Sequence, residues 1–341
     1  MNTISLFQRP EYNFLKENVH LNKNIFLLGY GGSLAYGTNL PSSDIDIRGI
    51  AYNSKKEILR GTDFEQVVDV NTDTTIYSFR KMMKLLAENN PNTVEILGLR
   101  PCDYLYMDST GQELVKNAHM FLSKRCMYTF GGYANAQLRR LQQRSMHHLE
   151  QAQRENHIKK SIEHASQVFR TEVARYDDEQ LSLYIDVSDK PAYDTEMFVD
   201  INLQHYPLRD LNVLYQDVSA IIRDYDKIGK RNRNALTHNK CAKHSGHLVR
   251  LLYTCIDILK HEEIRTYRAD EHDLLMDIRN GKYLNENDEP SKEFFDIVDE
   301  LSAKMDEAFK FTKLPDEPDY DKINHFIEKT CEMIVMKGGT T

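Results

Sequence analysis

A chain of 341 residues, 40% hydrophobic and 28% charged, is an ordinary globular composition, long enough to bury a sizeable core and to form two domains. Its net charge of −8 excludes a wholly basic nucleic-acid coat, but not nucleic-acid binding, because partners feel local patches rather than the total. Five cysteines, Cys102, Cys126, Cys241, Cys255 and Cys331, form no CxxC pair, which argues against a disulfide scaffold or a zinc ribbon and for reduced thiols.

The opening MNTISLFQRPEY carries a charge and a proline where a secretory leader needs an apolar stretch. No apolar run approaches the roughly 20 residues of a membrane span. The expectation is a soluble cytoplasmic protein with no membrane partner.

In chain order, Asn24–Leu28 (NIFLL) is a short apolar run that ends at the glycine-rich Gly29–Ser33. Asp44–Tyr52 (DIDIRGIAY) alternates with period two, which predicts a strand with distinct faces. Glu65–Tyr77 is rich in Val and Thr and predicts one bent strand or two short ones. Ser78–Glu88 predicts a helix with Ser78 as N-cap, stopped by Asn89-Asn90-Pro91. From about Gly111 onward, charged amphipathic segments dominate: 113–171, 210–229, 241–261 and 291–310. The stretches 184–208 and 281–290 read as connections. The expected architecture is α+β, with a catalytic-type module around a small mixed sheet in residues 1–110 and a mainly helical domain in 111–341.

On a strand, residues i and i+2 share a face, so Asp44 and Asp46 sit side by side while Ile45 and Ile47 point to the core. Two carboxylates about 7 Å apart repel unless something positive lies between them, and Mg²⁺, which prefers oxygen ligands, suits that place. Upstream, Gly31-Gly32-Ser33 lets backbone N–H groups approach an anion, and the serine hydroxyl adds a donor. Phosphate on the loop and a divalent metal on the carboxylates would meet in a metal–nucleoside triphosphate.

Gly32-Ser33, ten intervening residues and Asp44-Ile45-Asp46-Ile47 resemble the signature of the DNA polymerase β-like nucleotidyltransferase superfamily. The wider GSLAYG…SDIDIRGI resembles its bacterial and phage branch of RNA-repair-associated nucleotidyltransferases. Agreement continues in DTTIYSFRKMMKLLAENNPNTVEIL, residues 73–97. The resemblance implies a polymerase β-like palm and transfer of NMP from an NTP, with ATP favoured, to an acceptor hydroxyl, pyrophosphate leaving in line. Asp44 and Asp46 would hold Mg²⁺ or Mn²⁺, and Gly32 and Ser33 the phosphates. A third carboxylate would serve both metal and acceptor; Asp73 fits it best, with Asp69 as rival. The acceptor implied is an RNA end, with a protein or small-molecule acceptor as alternatives.

Lys243–Leu259 (KHSGHLVRLLYTCIDIL) forms a second constellation. At about 100° per residue, Lys243, His247, Arg250 and Thr254 share one face, while Leu248, Leu251, Leu252, Cys255 and Leu259 share another. Three stacked donors suit a triphosphate, and the RNA-repair branch shows a similar Lys…His…Arg-Leu pattern. Local basic excesses, eight Lys/Arg against two Asp in 223–250 and seven against three Glu in 138–170, would suit a phosphate backbone. Arg233 and His238 resemble the Arg-x4-His motif of HEPN ribonucleases, a short pattern that chance produces readily.

Overall fold

The computed structural model describes residues 9–145, 181–187, 195–219, 241–286 and 288–337. It divides into two compact units: residues 1–130, 252–279 and 302–341 form one, and residues 131–251 and 280–301 the other. The composition change near residue 110 follows the last strand of the first sheet, whereas the compact units interleave along the chain.

The first unit is built on a five-stranded sheet of order β3-β4-β2-β1-β5. Its strands are β1 (Ile25–Tyr30), β2 (Ile47–Ala51), β3 (Gln66–Asp69), β4 (Thr74–Ser78) and β5 (Tyr104–Met107). β1 pairs antiparallel with β2 and β5, and β3 antiparallel with β4, while β2 and β4 run parallel. This is the small mixed sheet expected, in an α+β arrangement. The continuous apolar run Phe26-Leu27-Leu28 is wholly buried, because β1 is covered on both faces. Ile45 and Ile47 join Leu28, Ile76 and Tyr12 in one core cluster.

Between the strands lie the short helix α1 (Gly32–Tyr36) and α2 (Lys55–Arg60), which opens with a Ser54/Glu57 capping box. The Val/Thr-rich segment resolves into two strands because Asp69 turns the chain: its Oδ1 accepts from Thr72 N and Thr72 Oγ1, each at 2.9 Å. The helix expected after Ser78 is α3 (Phe79–Ala87), with Ser78 Oγ accepting from Lys81 N. Asn89 closes it at φ 51°, and Asn90 caps the following turn Pro91–Val94. α4 (Ser109–Lys116) follows β5. α5 (Arg125–Ser145) begins in this unit and continues into the second.

The second unit contains an element not anticipated from sequence. β6 (Leu181–Val187) and β7 (Thr195–Ile201) pair antiparallel, where a connection was expected for 184–208. LSLYIDV and TEMFVDI alternate with period two, and that strand signal outweighs the neighbouring Asp, Pro and Asn turn residues. α6 (Cys241–His261) and α8 (Lys292–Phe311) each begin in this unit and end in the first. The first unit is completed by α7 (His272–Arg279) and α9 (Tyr320–Lys337). α9 returns to the palm, its Phe326 ring 6.0 Å from that of Phe79 and its Lys329 Nζ 2.6 Å from Glu113 Oε1. No helix among the described residues is long and apolar enough to cross a membrane.

Candidate active site

The glycine-rich turn, the Asp-x-Asp segment and the start of β4 converge in the first unit. Asp44, Ile45 and Asp46 lie just before β2, which begins at Ile47 rather than at Asp44 as the alternation predicted. The pairing starts late because Ile47 is the first residue with a partner on β4, opposite Thr74, while Ile47 N donates to Asp73 O at 3.2 Å. The alternation of faces continues through the unpaired residues: Ile45 packs against the core cluster and Asp44 is exposed.

Gly31 N donates to Asp46 O at 2.8 Å, which ties the turn to the carboxylate segment. Gly32 has φ 53°, and a Cβ built on it would overlap Asp46 Oδ2. Only glycine supplies both that left-handed backbone and that close approach. Gly32 therefore packs directly against the Asp46 carboxylate. The residues between them, with no contacts assignable from sequence, form α1 and a turn in which Ser43 N donates to Leu40 O at 2.9 Å and Leu40 N to Ser43 Oγ at 2.8 Å.

Arg48 is the residue that sequence reasoning passed over. Its Nη1 donates to Ile47 O at 2.9 Å and Asp73 O at 2.7 Å, and its Nη2 lies 3.4 Å from Asp73 Oδ1 and 3.7 Å from Asp46 Oδ1. One guanidinium thus gathers carboxylates from the residues that precede two parallel strands. The signal was present: Asp44, Asp46 and Arg48 continue one i, i+2 series on one face. Asp73 adopts φ 44° at the entrance of β4, a conformation Asp tolerates better than most residues. Asp69 faces the β3–β4 turn through Thr72, so the structure brings Asp73 rather than Asp69 to Asp46 and Arg48.

A narrow crevice beside this group is lined by Tyr30, Gly31, Arg48, Tyr77, Asn92 and Glu95. Burial, reinforced by the Asp103 carboxylate, pushes the Tyr30 phenol above its ordinary range despite Arg9, so Tyr30 stays a protonated donor at its wall. A larger cavity of about 490 Å³ lies between the ends of α6 and α8, lined by Lys260, His261, Lys304 and Phe311 among others. It holds none of the residues above.

In the second unit, α6 carries Lys243, His247 and Arg250 over the predicted span, with Leu248 buried beneath them. Arg250 Nη2 lies 2.8 Å from His247 Nδ1; with arginine the donor, Nδ1 accepts, which leaves the ring N–H on Nε2. Thr254, placed with these donors by periodicity, is buried instead, and its Oγ1 accepts from Arg268 Nη2 at 3.0 Å. Arg233 and His238 lie outside the described residues, as do most of the two basic stretches.

Among the described residues, no three His, Cys, Asp or Glu side chains form a ready metal-holding group. The structure joins Asp46 and Asp73 through Arg48, and a hard cation is matched by the three expected ligands in donor type alone. Asp44, Asp46 and Asp73 offer only carboxylate oxygens, and Asp46 and Asp73 already face a cationic guanidinium.

The family described as RNA repair pathway DNA polymerase beta family (RlaP) matches residues 12–174. No curated protein and no solved structure gives a significant match.

Proposed function

We propose that this chain, whose residues 12–174 match the RNA repair pathway DNA polymerase beta family, transfers NMP from a metal-bound NTP to the terminal hydroxyl of an RNA. The observation that carries the reading is the packing of Gly32 directly on the Asp46 carboxylate, with Arg48 linking Asp46 to Asp73. The phosphate-binding turn and the acidic group then form one site rather than two.

In this reading Gly32 and Ser33 hold the β and γ phosphates through backbone N–H groups and the serine hydroxyl. Asp44, Asp46 and Asp73 would hold Mg²⁺ or Mn²⁺, which when bound supplies charge neutralisation of the triphosphate and a lowered pKa for the attacking hydroxyl. Asp73, which leads into the neighbouring strand, orients the acceptor hydroxyl and takes its proton. Arg48 keeps Asp73 turned toward Asp46 and limits the mutual repulsion of the carboxylates. Lys243, His247 and Arg250 are proposed as further triphosphate donors, a role supported by their spacing on α6 and by the His247–Arg250 contact. The RNA acceptor is supported by the family and by the local basic excesses; ATP is the first nucleotide to try.

The test is incubation with each of the four NTPs labelled at the α-phosphate, plus Mg²⁺ and short RNAs. Wild type is compared with the Asp44→Ala/Asp46→Ala double variant. Label should appear on RNA with wild type alone, and equal transfer by both would sink the proposal. Label on polypeptide instead would favour a protein acceptor.

A further inference from the structure

α1 has only five residues, too few to hold itself in place, yet in the proposed reading its first residues must present N–H groups to phosphate oxygens. Its start is fixed by Asp46. Its end is fixed by a segment more than two hundred residues downstream. Gly37 closes α1 at φ 74°, with Gly37 N donating to Leu34 O at 3.2 Å and Thr38 N to Ser33 O at 2.9 Å. A Cβ on Gly37 would overlap the Tyr267 ring, and His272 Nε2 lies 3.0 Å from Gly37 O. The carbonyl can only accept, so Nε2 carries the proton and donates in both the neutral tautomer and the imidazolium.

Tyr267 and His272 are themselves held from several sides. The Arg100 guanidinium lies 3.7 Å from the centre of the Tyr267 ring and is forked onto Asp103 at 2.7 and 3.1 Å. Thr266 donates twice to the palm, from N to Gly98 O at 3.2 Å and from Oγ1 to Glu95 O at 2.8 Å. On the other side Asp257 of α6 pairs with Arg265 at 2.7 Å and with Arg268 at 2.9 Å. The segment 264–272 is therefore a strap with fixed anchors, and Gly37 is where it meets the phosphate turn.

We infer that Tyr267 and His272 are positioning residues for the triphosphate, acting through Gly37 to hold α1 so that Gly32 and Ser33 face the phosphates. This rests on the nucleotidyltransferase reading for the identity of the ligand, but the mechanical link from the strap to α1 does not.

Two measurements on the full chain separate the parts. Amide hydrogen exchange over residues 31–38 is compared between wild type and Tyr267→Ala and His272→Ala, with Tyr267→Phe as the conservative control. Faster exchange in the two alanine variants, with Tyr267→Phe near wild type, is expected; unchanged exchange in both alanine variants would overturn the inference. Binding of ATP and of inorganic tripolyphosphate should weaken together, by about tenfold, in the alanine variants. Adenosine binding should not change, a selectivity that general loosening of the fold would not produce. Equal tripolyphosphate affinity in variants and wild type overturns the inference. A wild type that binds neither ATP nor tripolyphosphate overturns the proposed function, and hydrogen exchange then decides the strap alone. Should Tyr267→Ala fold poorly, Gly37→Ala supplies the converse: it should lower Tm, and Gly37→Ala/Tyr267→Ala should recover part of that loss. A double variant no more stable than the sum of its singles counts against the contact.

Discussion

Arg48 donates to the backbone carbonyl of Asp73 at 2.7 Å while its second terminal nitrogen faces the same residue's carboxylate at 3.4 Å. The arginine thus fixes both main chain and side chain of the residue that leads into the adjacent strand. Losing it frees Asp73 to relax from its left-handed backbone and leaves Asp46 and Asp73 to repel one another. Arg48→Met is expected to lower nucleotidyl transfer by about a hundredfold, the order of effect of a small misplacement at a reacting centre. Arg48→Lys should recover little, because an ammonium cannot reproduce the fork. Initial rates over a Mg²⁺ titration check this: wild-type rates for Arg48→Lys at every concentration would remove Arg48 from the site.

Asp73 and Asp69 separate by the kind of damage they cause. Asp69 Oδ1 serves Thr72 N and Oγ1 within its own turn, so Asp69→Ala should cost roughly 1 kcal/mol of stability and leave transfer measurable. Asp73→Asn keeps a residue type that tolerates positive φ but removes the carboxylate. It is expected to retain the wild-type urea midpoint and lose at least a hundredfold in rate. The reverse pattern would make Asp69 the third carboxylate.

Gly32→Ala tests the contact between turn and carboxylate. The new Cβ would overlap Asp46 Oδ2, and φ 53° would be strained for alanine. NTP binding should fall steeply, and Tm should fall as well, because the overlap and the strained backbone both act on the folded state. Calorimetric titration with a non-hydrolysable NTP reads the first and a thermal melt the second. Undiminished binding would mean the turn does not hold the phosphates.

The site was legible where its chemistry follows the chain. Gly31 to Asp46 is a local spacing, and the alternation of Asp44, Ile45, Asp46 and Ile47 states which face each residue takes. Helix α3 and its Ser78 cap were readable for the same reason, since capping and periodicity are short-range effects. Arg48 was visible in that alternation, but its partner was not. The contact to Asp73 requires the parallel register of β2 against β4, which no local pattern encodes. The strap was beyond reach for a stronger form of the same reason: Tyr267 and His272 meet Gly37 through tertiary packing alone. Thr254 shows the opposite failure, a polar residue that periodicity set beside the cations and that the fold buries against Arg268.

The Asp257–Arg268 pair should dominate the stability of the strap. The two side chains are only 6% and 1% exposed, with 2.9 Å between Asp257 Oδ2 and Arg268 Nη2. Asp257 also takes both Nε and Nη2 of Arg265, at 3.2 and 2.7 Å. Removing one partner of a buried pair leaves the other charge without compensation, which costs about 3–5 kcal/mol. Asp257→Ala is therefore expected to lower the free energy of unfolding in urea by that order. Arg268→Met alone should cost less, because Asp257 keeps the Arg265 fork. The double variant Asp257→Leu/Arg268→Met, which buries no unpaired charge at this position, should be more stable than Asp257→Ala. If Asp257→Ala unfolds at the wild-type urea concentration, the pair contributes nothing and the strap is held by its contacts with Glu95, Gly98 and Arg100 instead.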